Sequence, residues 1–559
     1  MLVSCQSSQV VRPKMDRVDT ARANHGMVVS VTKQSSRVGR EVLQEGGNAV
    51  DAAVATAFAL AVTWPEAGNI GGGGFMMIAP AEDAPPVCID YRETAPGAAT
   101  ENMYYNETTR HNYLASGVPG TIAGLALAHD KYGSLPWKDL VEPAVKLARD
   151  GYTIDKWQAY SMNLVLDDVR QNPSKLTTNL LAAYGKPDGE RWKPGDRVKL
   201  PDLADTLQQI ANEGPDAFYK GAIADKLVSD MRRFGGIISK DDLAGYKAII
   251  REPIHGTFNG YDVYAPPPPS SGGVTLILAL NILENLQLDP ADRYVSLNTH
   301  KIVEAMRRAF RDRAAYLGDP DFVDVPSNLT ENDYAKELAS TIDLKHASRS
   351  EELLGGIRFT RTGVDTTHFS VIDNDGMAVS NTYTLEQSWG SRMVVTGAGF
   401  ILNNEMGDFN WVRGGTNDQG RVGTEPNLIE PGKRMLSSQC PVILKRDGEV
   451  VLVTGSPGGR TIINTVLNVV LNYTRFGMPL DKAVDAPRIH HQWFPDEVRY
   501  EALNDPHHAA AVAELRGMGH DLVEPSTPQG SAHSIAVLQD GKRYLGVADK
   551  RRGGAAEGY

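Results

Sequence analysis

Residues 365–384 read DTTHFSVIDNDGMAVSNTYT, and this stretch predicts the centre of the fold. Apolar residues alternate with small or polar ones on both sides of Asn374-Asp375-Gly376, which is the period-two pattern of a half-buried strand. Asn, Asp and Gly tolerate positive φ angles, so these three residues favour a tight turn. We therefore expect a β-hairpin here. Taken by itself, one such hairpin indicates no particular function.

Length and composition limit the classes of function. The chain has 559 residues, enough by length alone for two or more domains, and its 23% charged and 41% hydrophobic residues are ordinary for a globular protein. A net charge of -12 without a basic run argues against nucleic acid or an anionic membrane as the main partner. Three cysteines (Cys5, Cys88, Cys440) cannot form a disulfide framework or a Cys-x-x-Cys zinc site.

The first residues resemble the end of a bacterial lipoprotein signal, because Leu2-Val3-Ser4 precedes Cys5. Only four residues stand before Cys5, too few for the apolar region of a secretory signal. Two explanations stay open: a start that lies upstream, with lipid attached to Cys5, or a chance match. We expect residues 1–23 to be a disordered leader. The sequence contains no run of eighteen apolar residues, so it predicts no transmembrane helix.

Glycine and asparagine mark the first elements of the ordered chain. Asn48 is placed to cap a nearly all-apolar helix over residues 49–62, which should be buried because it has no polar face. Gly71 to Gly74 precede an apolar strand. No Lys-Ser/Thr pair follows these glycines, so a nucleotide-binding loop is disfavoured and close packing of backbone against backbone is expected.

Two later segments have unusual composition. Residues 304–317 are strongly helical and rich in arginine, which predicts a solvated or ion-paired helix face. Residues 410–431 are rich in glycine and lack periodicity, and a loop of that length is usually functional or disordered.

The hairpin sequence, DTTHFS followed by the returning TYT, resembles the start of the small subunit of γ-glutamyltranspeptidases, and motifs from about residue 24 to the last residue fit the same family. The resemblance implies an α+β fold, the four-layer αββα sandwich of N-terminal nucleophile hydrolases. It also implies a precursor that cuts itself between Asp365 and Thr366. The expected products are a large subunit, residues 24–365, and a small subunit, residues 366–559, which form one interlocked heterodimer.

The chemistry of an N-terminal threonine explains why cleavage would be needed. A threonine hydroxyl requires a base within hydrogen-bonding reach, and a free α-amino group has a pKa near 8, close to working pH. Thr366 can therefore supply its own base once the preceding bond is cut. In the family a threonine at the position of Thr384 hydrogen-bonds the nucleophile and supports processing. We expect a structural role for His368.

Gly458 and Gly459 stand between a predicted strand and a predicted helix. Backbone N–H groups and the helix dipole at such a junction favour negative charge, although a plain turn would use the same residues. The family resemblance implies that this pair forms the oxyanion hole.

A γ-glutamyl group ends in a free α-carboxylate and a free α-ammonium, so its pocket needs donors on one side and carboxylates on the other. Arg92, at the end of a predicted strand, would be a surface charge on its own. The family pattern places its carboxylate-binding arginine at this position, together with serines that correspond to Ser437 and Ser438.

Glu405 and Asp408 are expected to bind the ammonium group, with Glu386 as a further contact. At that last position some members of the family have Asn and others Glu. One position departs from the family. Several members have a gating aromatic residue on the long loop, and Gln419 occupies that place here. Trp411 is the nearest aromatic residue that could replace it.

These expectations together describe an enzyme that transfers the γ-glutamyl group of glutathione or related amides to water or to amino acid and peptide acceptors. It would need no cofactor and no metal, would bind no nucleic acid, and would work in the periplasm or outside the cell. A glutaryl or cephalosporin-type acylase is the alternative within the same resemblance. A catalytically inactive secreted binding protein is the alternative of another class.

Overall fold

The computed structural model describes residues 12–14, 17–81, 84–107, 109–353, 366–419, 422–538 and 543–559. Asp365 and Cys5, which carry the expected cleavage bond and lipid anchor, lie outside the described residues.

Both helices and strands occur along the whole described chain. The helices are α1 Lys33–Gln44, α2 Ala49–Thr63, α3 Thr121–Tyr132, α4 Trp137–Asp150, α5 Lys156–Gln171, α6 Thr178–Tyr184, α7 Pro201–Glu213, α8 Asp216–Tyr219, α9 Ala222–Phe234, α10 Lys240–Gly245, α11 Gly272–Leu286, α12 Ser296–Tyr316, α13 Asn332–Ser340, α14 Thr461–Thr474, α15 Leu480–Asp485 and α16 Ala509–Gly517. The strands are β1 Asp19–Ala23, β2 Met27–Ser30, β3 Gly73–Ala79, β4 Val87–Asp90, β5 Tyr152–Thr153, β6 Arg197–Val198, β7 Ile249–Arg251, β8 Ile254–Phe258, β9 Tyr261–Ala265, β10 Thr367–Ile372, β11 Ala378–Thr384, β12 Val442–Arg446, β13 Glu449–Thr454, β14 Ile489–His490, β15 Val498–Tyr500, β16 Leu522–Val523, β17 His533–Val537, β18 Tyr544–Ala548 and β19 Ala555–Gly558.

Two seven-stranded sheets form the middle of the molecule, in the orders β1-β18-β17-β13-β12-β9-β8 and β19-β2-β10-β11-β3-β4-β7. Apolar side chains of both sheets, among them Val29, Met77 and Val453, pack against each other in one buried cluster. Helices α1 and α2 contact the second sheet, whereas α11 contacts β8 and β9 of the first. This α+β arrangement of helix, sheet, sheet and helix layers confirms the predicted αββα sandwich.

The central hairpin is β10 and β11, paired antiparallel from Thr367 opposite Tyr383 to Ile372 opposite Ala378. Its turn contains Gly376 at φ +89°. The expected half-buried pattern is wrong, because every residue of both strands is buried. The second sheet is covered by helices on one face and by the first sheet on the other, so small polar side chains lie in the interior as well as apolar ones.

The glycine run before β3 packs as the sequence predicts. A Cβ atom on Gly71, Gly72 or Gly74 would lie closer than 3.0 Å to the backbone oxygens of Ile401, Thr384 or Thr382 respectively. Only a residue without a side chain lets these backbones approach so closely. The glycines therefore fix the position of the end of β11.

Helices α2 and α12 test two expectations from the sequence, one about capping and burial and one about charge. Asn48 caps α2, whose residues are all buried, as expected. In α12, however, Glu304, Arg307 and Arg308 are buried and paired with one another rather than solvated. Of the two alternatives predicted for this helix face, solvated or ion-paired, the ion-paired one is therefore correct, because charges removed from water need partners.

Both sheets mix strands from the two expected subunits. β10, β11 and β19 join β2, β3, β4 and β7 in one sheet, and β1, β8 and β9 lie beside four later strands in the other. Strand β1, residues 19–23, pairs with β18 and lies within the segment for which a disordered leader was expected. That expectation is wrong for these five residues, because the edge of β18 binds them by main-chain hydrogen bonds.

In the described part of the chain, no helix is both long and apolar enough to cross a membrane.

Candidate active site

A cavity of about 650 Å³ opens at the end of the central hairpin, where Thr366 and Thr384 lie in its wall. Most of the residues singled out from the sequence line this one cavity. They are Arg92, Thr366, Thr384, Glu405, Asp408, Ser437, Ser438 and Gly459. Gly458 adjoins the lining through Gly459, and Glu386 adjoins it through Arg110.

Thr366 immediately precedes β10 and is buried. Its hydroxyl lies 3.3 Å from the hydroxyl of Thr384, the last residue of β11. Thr384 Oγ1 also accepts a 2.9 Å hydrogen bond from the backbone N–H of Glu386. The hairpin register therefore places the two hydroxyl groups together at one wall of the cavity. The geometry of the Asp365–Thr366 bond lies outside the described residues.

His368 is separated from the cavity. Its ring nitrogens lie 2.8 Å from Thr382 Oγ1 and 3.1 Å from Ser370 Oγ, and the side chain is fully buried. Burial lowers the pKa of His368 well below its ordinary value. A neutral, hydrogen-bonded imidazole inside the sandwich agrees with the structural role expected for it.

Arg92 is fully buried, and acceptors surround its guanidinium. Nη1 faces Glu405 and Glu93, Nη2 lies 2.5 Å from Asp408 Oδ2 and 3.4 Å from the Leu436 carbonyl, and Nε donates to the carbonyl of Met435 at 3.2 Å. The sequence predicted Arg92 and the two carboxylates for opposite ends of a substrate. In the structure they are ion-paired with each other.

Glu405 and Asp408 are held by a short 3-10 turn that contains both residues. Glu405 is fully buried, and among the described residues its Oε2 has no hydrogen-bond partner. Burial raises the pKa of Glu405 well above its ordinary value, against the opposing effect of Arg92. Burial likewise raises the pKa of the neighbouring Glu93 to about 7. The site therefore contains more carboxyl groups than Arg92 alone can keep ionised.

Glu386 is the third expected ammonium contact, and it occupies a strained position at φ +80°. Its carboxylate is ion-paired with Arg110, whose guanidinium also lies over the ring of Trp411 at 5.0 Å. Burial raises the pKa of Glu386 to about 8, although Arg110 opposes this shift. Glu386 Oε2 has no partner in the described part of the chain.

The two serines lie in a segment that Ser271, the residue immediately before α11, holds in place. The carbonyl of Ser437 accepts hydrogen bonds from Ser271, at 2.8 Å from its N–H and 2.5 Å from its hydroxyl. Ser438 Oγ accepts a 2.9 Å hydrogen bond from Nη2 of Arg313. The backbone of Ser437 and the side chain of Ser438 consequently have defined positions in the cavity wall.

Gly458 and Gly459 connect β13 with α14, at φ +131° and +57°. Their carbonyls accept the N–H groups of Thr461 and Ile462 and so begin the helix. Neither glycine N–H donates a hydrogen bond to a described residue. Two such N–H groups at a helix N-terminus can stabilise an oxyanion.

The long loop contributes Trp411 to the cavity wall, where its ring stacks on Tyr104 at 4.5 Å between centroids. Gln419 is exposed and does not line the cavity. Of the two residues considered for the gate, Trp411 is therefore the one placed at the cavity.

Sequence reasoning missed three arginines of the cavity wall, Arg110, Arg313 and Arg460. Arg313 belongs to the arginine-rich segment for which a solvated or ion-paired helix face was predicted. Periodicity gave no indication of its role, because α12 is buried nearly all round. Arg460 directly follows the oxyanion-hole candidate Gly459, and this adjacency was the available signal.

Metal-ligating side chains come together in the described part of the chain at His300, Glu304 and His520, whose ligand atoms lie within 4.8 Å of one another. This group does not line the cavity. Both carboxylate oxygens of Glu304 are already paired, with Arg307 and Arg308. The arrangement is explained as a buried ion-pair cluster.

A family model and the most similar curated proteins point to the same family. The family model described as gamma-glutamyltranspeptidase matches residues 35–559. The glutathione hydrolase proenzyme of Escherichia coli (strain K12) is 45% identical over 542 residues, which cover 95% of this chain and 91% of that protein. The glutathione hydrolase proenzyme of Bacillus subtilis (strain 168) is 37% identical over 95% of this chain and 91% of its own length.

Solved structures agree with this likeness. A cephalosporin acylase from Bacillus halodurans superimposes with a TM-score of 0.85 at 25% identity, over 100% of this chain and 99% of that one. The gamma-glutamyltranspeptidase of Helicobacter pylori gives a TM-score of 0.55 at 40% identity and covers 59% of this chain and 96% of that chain.

Proposed function

This chain belongs to the γ-glutamyltranspeptidase family, and from that premise we propose that it is a self-cleaving enzyme that transfers γ-glutamyl groups of glutathione or related amides to water or to amino acid and peptide acceptors. One observation carries the proposal. The hydroxyls of Thr366 and Thr384 lie 3.3 Å apart in the wall of a cavity that contains both guanidinium and carboxylate groups.

Maturation begins with the Thr366 hydroxyl. Its oxygen attacks the carbonyl carbon of Asp365, the peptide nitrogen takes a proton and leaves, and an ester replaces the amide. Water then hydrolyses this ester, so that residues 24–365 end in a carboxylate and residues 366–559 begin with a free amino group. Because both sheets contain strands from each product, the two chains would remain associated as a heterodimer.

Catalysis uses the groups that cleavage sets free. The α-amino group of Thr366 accepts the hydroxyl proton while Oγ1 attacks the γ-carbonyl carbon of the substrate. The N–H groups of Gly458 and Gly459 stabilise the oxyanion, and the amine leaves with the proton. Water or an acceptor amine then attacks the γ-glutamyl ester by the reverse sequence of proton transfers and regenerates Thr366.

Recognition depends on both charges of the α-amino acid end. The ammonium group would donate to Glu405 Oε2, which lacks a partner among the described residues, and to Asp408, with Glu386 nearby. The α-carboxylate would lie against Ser437, Ser438 and Arg92. Binding of a zwitterion would replace part of the present ion pairing of Arg92 with new charge contacts, which limits the desolvation cost.

A glutaryl or cephalosporin-type acylase is a second candidate, and the 0.85 TM-score to a cephalosporin acylase favours it. A glutaryl group has no ammonium, so it would leave Glu405 and Asp408 without a substrate partner. We therefore expect γ-glutamyl-p-nitroanilide to be hydrolysed with a kcat/KM at least ~100-fold above that of glutaryl-p-nitroanilide, as for a buried charge contact of about 3 kcal/mol. Equal or reversed preference would favour the acylase.

An inactive binding protein would need a damaged catalytic site, and every catalytic and substrate-binding residue expected from the family is present, the gating aromatic residue replaced by Gln419 being outside that set. Purification with stoichiometric, unconverted glutathione would support that alternative. The proposed location is the periplasm or the exterior of the cell, which cell fractionation tests. Recovery of the active enzyme in the cytoplasmic fraction alone would contradict it.

Intact mass under denaturing conditions tests the assignment of Thr366. We expect two chains in the wild type, split before Thr366 and together one water heavier than the precursor. Thr366→Ala should give one uncut, inactive chain, whereas Thr366→Ser retains a hydroxyl and should still be cut. Two chains from the Thr366→Ala variant would refute the proposal.

A further inference from the structure

A second cavity, of about 600 Å³, lies apart from the active site and shares no lining residue with it. Its walls come from two segments of the chain, residues 179–203 and residues 394–399. The first segment belongs to the expected large subunit and the second to the expected small subunit. The cavity is therefore built by both expected products of cleavage, and the proposed mechanism does not use it.

Most side chains in the wall of this second cavity are apolar. They include Ala183, Trp192, Leu200, Leu203, Val394 and Val395, and all of these except Ala183 are buried. Cavities that bind small molecules have volumes of this order and are lined mainly by apolar and aromatic side chains, with a few polar groups that orient the ligand. The size and composition of this cavity thus suit a small molecule with an apolar body.

Hydrogen bonds fix the walls of the second cavity. Asn179 Nδ2 donates to the Val394 carbonyl at 3.2 Å and to Thr396 Oγ1 at 2.8 Å, so it links the two segments. Trp192 Nε1 donates to the Tyr184 carbonyl at 2.8 Å, which holds the indole ring in place. Because the cavity is already formed, a ligand would bind at a small cost in conformational entropy.

Two cations stand where the second cavity opens to solvent. Arg197 and Lys199 both line it and are exposed. Arg197 Nε donates to the Asp150 carbonyl at 2.9 Å, but neither cation is ion-paired with a carboxylate in the described part of the chain. Among the described lining residues the only carboxylate is Asp202, so two cations face one anion in a chain whose net charge is -12. This local excess of positive charge favours an anionic group.

We propose that the second cavity binds a small aromatic carboxylate, with its rings against Trp192 and the apolar walls and its carboxylate beside Arg197 and Lys199. Flat rings stack on an indole and have few rotatable bonds to immobilise. A carboxylate accepts charge-assisted hydrogen bonds from a guanidinium and an ammonium group. Because the two cavities are separate, this inference does not depend on the proposed γ-glutamyl transfer.

Isothermal titration calorimetry of the purified protein with 2-naphthoate tests the inference. We expect 2-naphthoate to bind this cavity with a Kd of roughly 0.1 to 1 mM, as for a ligand of this size. 2-Naphthylmethanol has the same rings without the charge. It should bind roughly 3- to 30-fold more weakly, which is the effect of two exposed charge contacts.

The double variant Arg197→Gln/Lys199→Gln removes both cations from the cavity. It should weaken the binding of 2-naphthoate by the same factor of roughly 3 to 30 and leave the binding of 2-naphthylmethanol unchanged. The matched control is Arg191→Gln/Lys193→Gln, because these two residues lie on the same segment and do not line the cavity. The control removes the same amount of charge and should change neither affinity.

The variant Ala183→Phe places a ring inside the cavity and should abolish the binding of both compounds there. If this variant does not fold, the double variant still tests the proposal, because Arg197 and Lys199 are exposed and make few contacts.

Three results would overturn the inference. The first is no heat of binding at millimolar 2-naphthoate. The second is an equal affinity for 2-naphthoate and 2-naphthylmethanol, or for 2-naphthoate before and after removal of Arg197 and Lys199, since the ligand would then not be recognised as an anion. The third is binding that a folded Ala183→Phe protein retains in full, which would place 2-naphthoate at another site, such as the arginines of the active-site cavity.

Discussion

Substitution of Gly72 by alanine tests the link between the glycine run and the nucleophile. A Cβ atom at this position would lie more than 1 Å inside the 3.4 Å at which ordinary contact with the Thr384 carbonyl oxygen begins, and 2.8 Å from Asn69 Oδ1. Neither partner is free to retreat. Asn69 Nδ2 donates to the Thr384 carbonyl at 2.9 Å, and the N–H of Gly72 donates to Asn69 Oδ1 at the same distance.

The alanine variant must therefore displace the end of β11 or the loop itself. Overpacking of this kind costs about 1–3 kcal/mol of folding free energy. The strain acts on Thr384, whose hydroxyl contacts Thr366, and a displacement of about 1 Å in a reacting group can slow a reaction ~100-fold. We expect self-cleavage to slow by a factor between roughly 10 and 100 while the uncut chain still folds.

The assay is a time course on a denaturing gel from newly synthesised precursor, with thermal unfolding of the same variant in a Thr366→Ala background. Gly517→Ala is the control, because a Cβ on that residue meets nothing within 4 Å at the end of α16. If Gly72→Ala is cut at the wild-type rate and melts at the wild-type temperature, the close packing at Gly72 does not position Thr384 and the reasoning is refuted.

Two further predictions concern Thr384 and Glu386. Thr384→Val removes the hydroxyl 3.3 Å from Thr366 Oγ1 and should slow self-cleavage roughly 10-fold. Thr384→Ser keeps a hydroxyl and should not slow it. A gel time course with equal cleavage rates for the two variants would contradict this prediction. Burial raises the pKa of Glu386 from its ordinary 4.5 to about 8, so between these pH values the folded chain holds a proton that the unfolded chain has lost. The free energy of unfolding should therefore fall as the pH rises from about 4.5 to 8. Thermal unfolding of uncut Thr366→Ala protein at pH 5, 6, 7 and 8 should therefore depend less on pH when Glu386→Gln is added, and an unchanged pH dependence would show that Glu386 is ionised throughout.

Local sequence determined the elements that depend on short-range chemistry. Asn374-Asp375-Gly376 predicted the hairpin turn, Asn48 predicted the cap of α2, and the glycine run predicted close backbone packing; each depends on the conformational preferences of a few neighbouring residues. The family resemblance further gave the sandwich fold and eight of the residues that line the cavity, but not its arginines Arg110, Arg313 and Arg460. Their assigned roles stay predictions until the variants are measured.

Tertiary structure alone decided which charges meet. The arginines of α12 lie in different environments: Arg307 and Arg308 pair with Glu304, whereas Arg313 faces the cavity. Likewise, Arg92 and Glu405 are more than 300 positions apart in the chain yet form an ion pair. Periodicity describes how one element alternates between its faces, but the partner of a buried charge depends on which elements pack together. The sequence therefore determined the hairpin that carries Thr366, and the packing of the two sheets and α12 decided the electrostatics around it.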